Sequence, residues 1–329
     1  MVRFGIIGTN KITETLLEAA KTVEGFNLAA VYSRKEETAR AFADKYEVEH
    51  IYTNIEEMVA SDTIDAVYIA SPNALHAEQA IVCMEHGKHV LCEKAIASNT
   101  AELQKMIDTA RKHNVVLMEA MMSTMTPNFK SILDNLSKIG KVRRYFAQFC
   151  QYSSRYDKYK QGTVLNAFNP TFSNGSLMDI GIYCVYPMVV LFGEPMAIKA
   201  NAFMLDSGVD GEGSMLATYE EMEGVLMYSK ITNSHLPSEI QGEEGTIVID
   251  HINTPTKIEI RYRDGRVEDI TVPQETNIMR YEVEEFISLV QSESQQSSIN
   301  SHKHSMIVMN LLEESRKQVG LVFPADTNK

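Results

Sequence analysis

The first third of the chain alternates short apolar runs with stretches in which apolar residues recur every three to four positions. Val2–Ile7, Leu28–Tyr32, Ala66–Ala70, Val90–Cys92 and Val115–Met118 predict strands, and His50–Tyr52 a weaker one. Between them lie four helical stripes. Ile12, Leu16, Leu17 and Ala20 form the first, and Ala39, Phe42, Ala43 and Tyr46 the second. Ala77, Ala80, Ile81 and Met84 form the third, and Leu103, Met106, Ile107 and Ala110 the fourth. Asn99-Thr100 predicts an N-cap for the last helix, with Glu102 in its first turn. Strands that are apolar throughout and separated by helices imply a parallel sheet covered on both faces, the doubly wound α/β pattern.

After Glu119 the pattern changes, which divides the chain into 1–120 and 121–329. Phe129–Leu136 predicts a helix, Val142–Tyr152 a long strand, and Leu177–Phe192 an apolar helix. Ser153–Asn174 is polar and rich in turn residues. Alternating segments then predict antiparallel strands at Ala197–Leu205, Ser214–Tyr219, Gly224–Thr232, Ile240–Gly242, Thr246–Asp250, Lys257–Tyr262 and Arg266–Val272. Tyr281–Gln291 and Ser305–Val319 close the chain as helices, with a Ser- and Gln-rich loop at Ser292–Ser301. No internal repeat at a solenoid period is present.

Composition narrows the classes. With 329 residues, two domains are expected at about 150 residues each. Hydrophobic residues make up 44% and charged residues 23%, which excludes a disordered or collagen-like chain. Lys and Arg total 31 against 44 Asp and Glu, a net charge of −13 that argues against general nucleic-acid binding. No unbroken apolar run reaches the roughly 18 residues of a membrane span, and the start at Met1-Val2-Arg3 lacks signal-peptide features. Cys83, Cys92, Cys150 and Cys184 are far apart in apolar surroundings, the pattern of reduced thiols in a cytoplasmic protein. The sequons at Asn135 and Asn174 then read as chance matches.

In an open α/β sheet, ligands bind beyond the carboxyl ends of the strands. Polar residues gather at those predicted ends: Gly8-Thr9-Asn10-Lys11 after the first strand, Ser33-Arg34-Lys35 after the second, and Ser71-Pro72-Asn73 with His76 after the fourth. Glu93-Lys94 follows the fifth, and Glu119 ends the sixth. Gly8 through Ile12 and Thr13 form a degenerate dinucleotide fingerprint, with Asn10 and Thr13 at the later small positions; a plain strand–helix turn is the alternative. The second strand ends without the Asp or Glu that usually holds the ribose of NAD. Arg34 there suits a 2′-phosphate, which favours NADP over NAD, the alternative being a solvated surface Arg. Asp179 and Tyr183 stand four apart in an apolar helix and share a face, as either a site or a buried Tyr paired with a carboxylate. His86 and His89, and His302 and His304, lack metal-site spacing, so no metal is expected.

Ala70 to His76, Gly87 to Lys94, Glu119-Ala120 and Gly175 to Tyr183 resemble, in order and spacing, the glucose–fructose oxidoreductase/inositol dehydrogenase (Gfo/Idh/MocA) family. The Asp179-to-Tyr183 stretch is most similar to the NADP-dependent dihydrodiol and xylose dehydrogenase branch. The resemblance implies a Rossmann domain over 1–120 and an α+β domain over 121–329 with an open, mostly antiparallel sheet whose free face makes a homodimer. It also implies that Lys94, Asp179 and Tyr183 are catalytic, and that Ser71, Pro72, Asn73, His76, Glu93 and Lys94 line the cofactor with Gly8–Ile12 and Ser33–Lys35. Three positions depart from the family pattern: Ala95 replaces Pro after the Lys, Asn10 replaces a loop Gly, and Thr124 replaces an Arg.

The implied reaction is hydride transfer between NADP(H) and a carbinol carbon of a small polyol, aldose or trans-dihydrodiol, with Tyr183 as general base. A free phenol has a pKa of about 10, so work near neutral pH requires about 4 kcal/mol of stabilisation for the phenolate. One ammonium about 4 Å away supplies that much at an effective dielectric of about 20. The three departures also motivate a cofactor-binding sensor without turnover. A dimerising scaffold built on the C-terminal sheet is the third reading.

Overall fold

The computed structural model describes residues 1–327. Val2–Ile7 forms β1, Lys11–Ala20 α1, Phe26–Tyr32 β2, Glu36–Tyr46 α2, His50–Tyr52 β3 and Ile55–Ala60 α3. Ala66–Ile69 forms β4, His76–Glu85 α4, His89–Glu93 β5, Thr100–His113 α5 and Leu117–Ala120 β6. All six strands are parallel, in the order β3-β2-β1-β4-β5-β6, so their carboxyl ends share one edge. In this sheet unit α1, α3 and α5 begin at asparagines, Asn10, Asn54 and Asn99, whose side chains take orphan amides of the first turn. Asn99 caps α5 through the Glu102 amide (2.9 Å), and the Glu102 carboxylate returns a bond to the Ser98 amide (2.8 Å).

The rest of the chain contributes α6 (Pro127–Asn135), β7 (Val142–Cys150), α7 (Ser154–Lys160) and α8 (Ile182–Phe192), followed by seven strands. These are β8 (Ala197–Met204), β9 (Asp210–Thr218), β10 (Glu223–Ser229), β11 (Ser238–Gly242), β12 (Gly245–Ile249), β13 (Ile258–Tyr262) and β14 (Val267–Asp269). Two helices finish it, α9 (Met279–Gln291) and α10 (His302–Val319). The strands form an eight-stranded sheet in the order β14-β13-β12-β11-β7-β10-β9-β8. Its pairs are antiparallel except β7 with β10. One face buries Tyr145, Ala147, Met215, Ala217, Leu226 and Tyr228, and α8 packs on β7 and β10. The other exposes Phe203, Leu216 and Met227 on neighbouring strands.

Pro187 lies inside α8, which costs about 3 kcal/mol in a helix interior. Burial of Ile182, Val185, Met188 and Val189, at about 1.5–3 kcal/mol each, outweighs it. The helical stretch Pro170–Phe192 is long and apolar enough to cross a membrane by length and composition; its most apolar 18 residues have a mean hydropathy of 1.6, but 78% of them are buried within the protein. It is used as core. The four cysteines are unpaired; Cys83, Cys92 and Cys184 are buried and Cys150 is half-buried.

The chain divides into two compact units. Met1–Met122 joins Glu275–Ser305, and Ser123–Gln274 joins the residues from Met306 onward. The division at 1–120 and 121–329 expected from sequence has no counterpart for the Glu275–Ser305 return. That segment brings α9 to the parallel sheet, where the Phe286 ring lies 5.6 Å from that of Phe4.

Candidate active site

In the first unit, the sequence-predicted positions after β1, β2, β4 and β5 lie along the carboxyl edge of the sheet, and side chains tie three of these loops together. Gly8 has φ +108°, and a Cβ there would come within 2.7 Å of the Ala70 carbonyl, so the first loop needs glycine. Asn10 is extended (φ −101°, ψ −179°) rather than left-handed. Its Oδ1 accepts the Ile12 (3.1 Å) and Thr13 (3.2 Å) amides, while its Nδ2 donates to the Ala70 carbonyl (2.6 Å). Asn10 therefore caps α1 and fastens the β1 loop to the β4 loop. The Thr13 hydroxyl donates to the Gly8 carbonyl (2.7 Å). Lys11 opens α1 with an exposed side chain. Ser33 donates its amide to Tyr52 (3.1 Å), and Arg34 and Lys35 are exposed. Arg34 makes no ion pair among the described residues.

The Ser71 hydroxyl donates to Gln79 (2.6 Å), and the Pro72 carbonyl accepts the Leu75 amide (2.8 Å). Asn73 is buried. His76 is fully buried, with Nε2 2.8 Å from the Ser71 carbonyl and Nδ1 2.9 Å from the Ala95 carbonyl. Carbonyls only accept, so a ring serving both must donate from both nitrogens, as an imidazolium does. Burial acts against that charge and lowers the pKa, while the two carbonyls work to raise it. The lowered pKa favours the neutral ring, which donates to one of the two carbonyls, and His76 lies between the β4 loop and the residue after Lys94.

Glu93 is buried and accepts the Tyr68 hydroxyl (2.6 Å). The Lys94–Ala95 peptide bond is cis. Ala95 lacks the fixed φ of proline, but its segment is held from both sides: its carbonyl by His76, and the next amide, of Ile96, by Glu119 Oε1 (3.1 Å). Burial pushes the Glu119 carboxyl up to about 7. The ring nitrogens of His86, His89, His302 and His304 that form hydrogen bonds do so with backbone groups.

In the second unit, Leu177–Gly181 forms a π-helical turn that runs into α8, in place of the uniform helix expected. Asp179 sits in this turn and Tyr183 follows at the start of α8, its ring edge-on to Phe149 at 5.6 Å. The turn is anchored by Asp210, which is buried and accepts the Ser176 (3.1 Å) and Leu177 (2.6 Å) amides. Burial raises the Asp210 carboxyl to about 6 against the pull of those amides and of Lys230. Gly175, at φ +145°, leaves room for it: a Cβ there would lie 2.1 Å from Asp210 Oδ1. Lys230 donates to Asp179 Oδ2 at 2.5 Å. Thr124 is buried.

Lys94 thus belongs to the first unit, and Asp179 and Tyr183 to the second. Sequence reading missed Asp210, Lys230 and Glu282. Lys230 left a signal: in the strand expected over Gly224–Thr232 it shares parity with Leu226 and Tyr228, the inward face. Glu282 lies in α9 among apolar neighbours, and nothing local marks its partner.

Residues 2–121 match the family model for the oxidoreductase family with an NAD-binding Rossmann fold, and residues 131–248 match the GFO/IDH/MocA C-terminal domain. The chain is 57% identical over 326 residues to scyllo-inositol 2-dehydrogenase (NADP(+)) IolU of Bacillus subtilis, covering 99% of each chain. It is 30% identical over 339 residues to trans-1,2-dihydrobenzene-1,2-diol dehydrogenase of Xenopus tropicalis, covering 98% of this chain and 99% of that one. Its fold matches KijD10, a 3-ketoreductase from Actinomadura kijaniata solved with NADP and TDP-benzene, with a TM-score of 0.86 and 23% identity over 97% of this chain and 98% of that one. The chain belongs to the GFO/IDH/MocA oxidoreductase family.

Proposed function

We propose that this protein is an NADP(H)-dependent dehydrogenase that oxidises and reduces a carbinol carbon of a small polyol, with a cyclic polyol of the inositol kind as its substrate. The observation that carries this reading is the 57% identity, over 99% of both chains, to a relative named as an NADP-dependent scyllo-inositol dehydrogenase. None of the similar proteins described above favours the sensor or scaffold readings.

The residues present fit the cofactor. Gly8 keeps the first loop free of a side chain beside the N-terminus of α1, where a pyrophosphate is favoured by the helix dipole. Exposed Arg34 offers a guanidinium to a 2′-phosphate. Thr9, Asn10, Lys11 and Ile12 frame the first loop, Ser33 and Lys35 flank Arg34, and Ser71, Pro72, Asn73 and Glu93 line the adjoining strand ends. His76 acts on the loops instead, because its ring is engaged with backbone. NADP(H), when bound, accepts or supplies the hydride at its nicotinamide.

In the oxidation direction Tyr183 takes the hydroxyl proton. Lys94 hydrogen-bonds the substrate oxygen and stabilises the phenolate, and Asp179 orients the substrate. The exposed face around Phe203, Leu216 and Met227 is proposed to pair two copies as a homodimer. Four unpaired cysteines favour a cytoplasmic setting.

The test begins with fluorescence titration by NADPH and NADH, followed by a screen of scyllo-inositol, myo-inositol, xylose and a trans-dihydrodiol with NADP+. Tight NADPH binding and turnover of an inositol are expected. Turnover confined to an aldose or diol would move the substrate class, and failure to bind either nucleotide would overturn the reading.

A further inference from the structure

Lys230 follows the last residue of β10 and is 3% exposed. A buried ammonium without partners is costly, and the contacts of Lys230 satisfy it. Nζ donates to Asp179 Oδ2 at 2.5 Å and to the Ala167 carbonyl at 3.3 Å, and lies 5.1 Å from the centre of the Phe168 ring. Its backbone is equally occupied: the amide donates to Gly211 (2.9 Å), beside the anchoring Asp210, and the carbonyl accepts the Ser153 amide (2.9 Å).

One residue therefore holds the Ser153–Asn174 segment at two places, at Ser153 through its carbonyl and at Ala167–Phe168 through its side chain, while gripping Asp179. Phe168 in turn packs against Tyr156 (5.7 Å) and Tyr159 (5.5 Å) of α7, so the grip extends to an aromatic cluster. The outward part of Asp179 keeps 31% side-chain exposure, and the ammonium behind it is enclosed.

We propose that Lys230 is a positioning residue that sets the Asp179 carboxylate and the 153–174 wall together, and so governs polyol binding and turnover while leaving the cofactor untouched. This rests on the dehydrogenase reading above. A Lys side chain that only filled space would be replaceable by Met, which has similar length and no charge.

The experiment compares wild type, Lys230→Met, Asp179→Asn and the double variant. Lys230→Met is expected to raise the KM for scyllo-inositol and lower kcat/KM by about 100-fold, the scale of a misplaced reacting group. NADPH affinity is expected to stay unchanged. Because part of the effect of Lys230 runs through Asp179, the double variant should lose less than the product of the two single losses. Unchanged kinetics in Lys230→Met, or losses that multiply in the double variant, would overturn the proposal. If Lys230→Met does not fold, Lys230→Arg keeps the charge but not the ammonium geometry. It should raise KM while binding NADPH normally, and an unchanged KM would overturn the proposal. A wild type that turns over no polyol would sink the dehydrogenase reading instead. The pairing is then read from melting temperatures: each single variant should melt lower and the double variant should recover part of the loss, whereas additive losses would refute the coupling.

Discussion

The hydroxyl of Tyr68 in β4 donates a 2.6 Å hydrogen bond to Oε1 of Glu93 in β5, one residue before Lys94. Glu282 of α9 stands close enough to this carboxylate to feel its charge, and neither of its own oxygens has a hydrogen-bond partner among the described residues. Burial first, and Glu93 second, push the Glu282 carboxyl well above the ordinary range.

This fixes the sign of a pH effect. Below the ordinary carboxyl value both folded and unfolded chains hold the proton. As pH rises, the unfolded chain releases it while the folded chain retains it, so stability falls until the folded group ionises too. Glu282→Gln, isosteric with the neutral acid, should escape that loss. Its melting temperature should exceed that of wild type by more at about pH 8 than at about pH 5, both above the ordinary carboxyl value of about 4.3. A difference that does not change with pH would contradict the assignment.

Arg34 is exposed just after β2 and makes no ion pair among the described residues. Arg34→Ala should weaken NADPH binding by about 10- to 100-fold, the worth of hydrogen bonds to a charged group, and leave NADH binding unchanged. Equal losses for both nucleotides would remove the 2′-phosphate from the explanation.

Lys94→Met should abolish polyol turnover with NADPH affinity nearly intact. Tyr183→Phe should do the same, since it removes only the hydroxyl that carries the proton. Stopped-flow hydride transfer and fluorescence titration separate the two quantities. Residual turnover near wild type in either variant would dismiss that residue from catalysis.

Leu216, 50% exposed on β9, pairs with Lys199 on β8 and Val225 on β10, and shares the outward face with Phe203 and Met227. Leu216→Arg should convert a dimer into a monomer in light scattering, because a charge buried at an apolar contact lacks a partner. A wild-type monomer at micromolar concentration would rule out the pairing.

The parallel sheet was largely legible because its strands are apolar runs bounded by residues with distinct chemistry. Val2–Ile7 ends at Gly8, and Asn99 caps α5 where the sequence places it. Short elements with little periodicity escaped: α3 has six residues, and α7 buries none of its side chains. The alternation predicts a last strand as far as Val272, yet β14 stops at Asp269, and the Thr271 hydroxyl, not its backbone, serves the Ile258 amide (2.9 Å). At the candidate site, residues within one loop could be read together. The buried charges could not, because their partners are remote. Asp210 meets Ser176, Lys230 meets Asp179 and Glu282 faces Glu93, and local spacing carries no record of such pairings.

Phe286 rests on Phe4 across almost the whole length of the chain. During synthesis, the nucleotide-binding half therefore waits. Its first strand leaves the ribosome early, but the helix that covers it is among the last segments made, and closing so long a loop is slow. Until then Phe4 and its neighbours present an uncovered apolar face, which makes the nascent chain a customer for chaperones. A fragment cut after Met122 would inherit the same open surface and should aggregate unless the α9 segment is supplied.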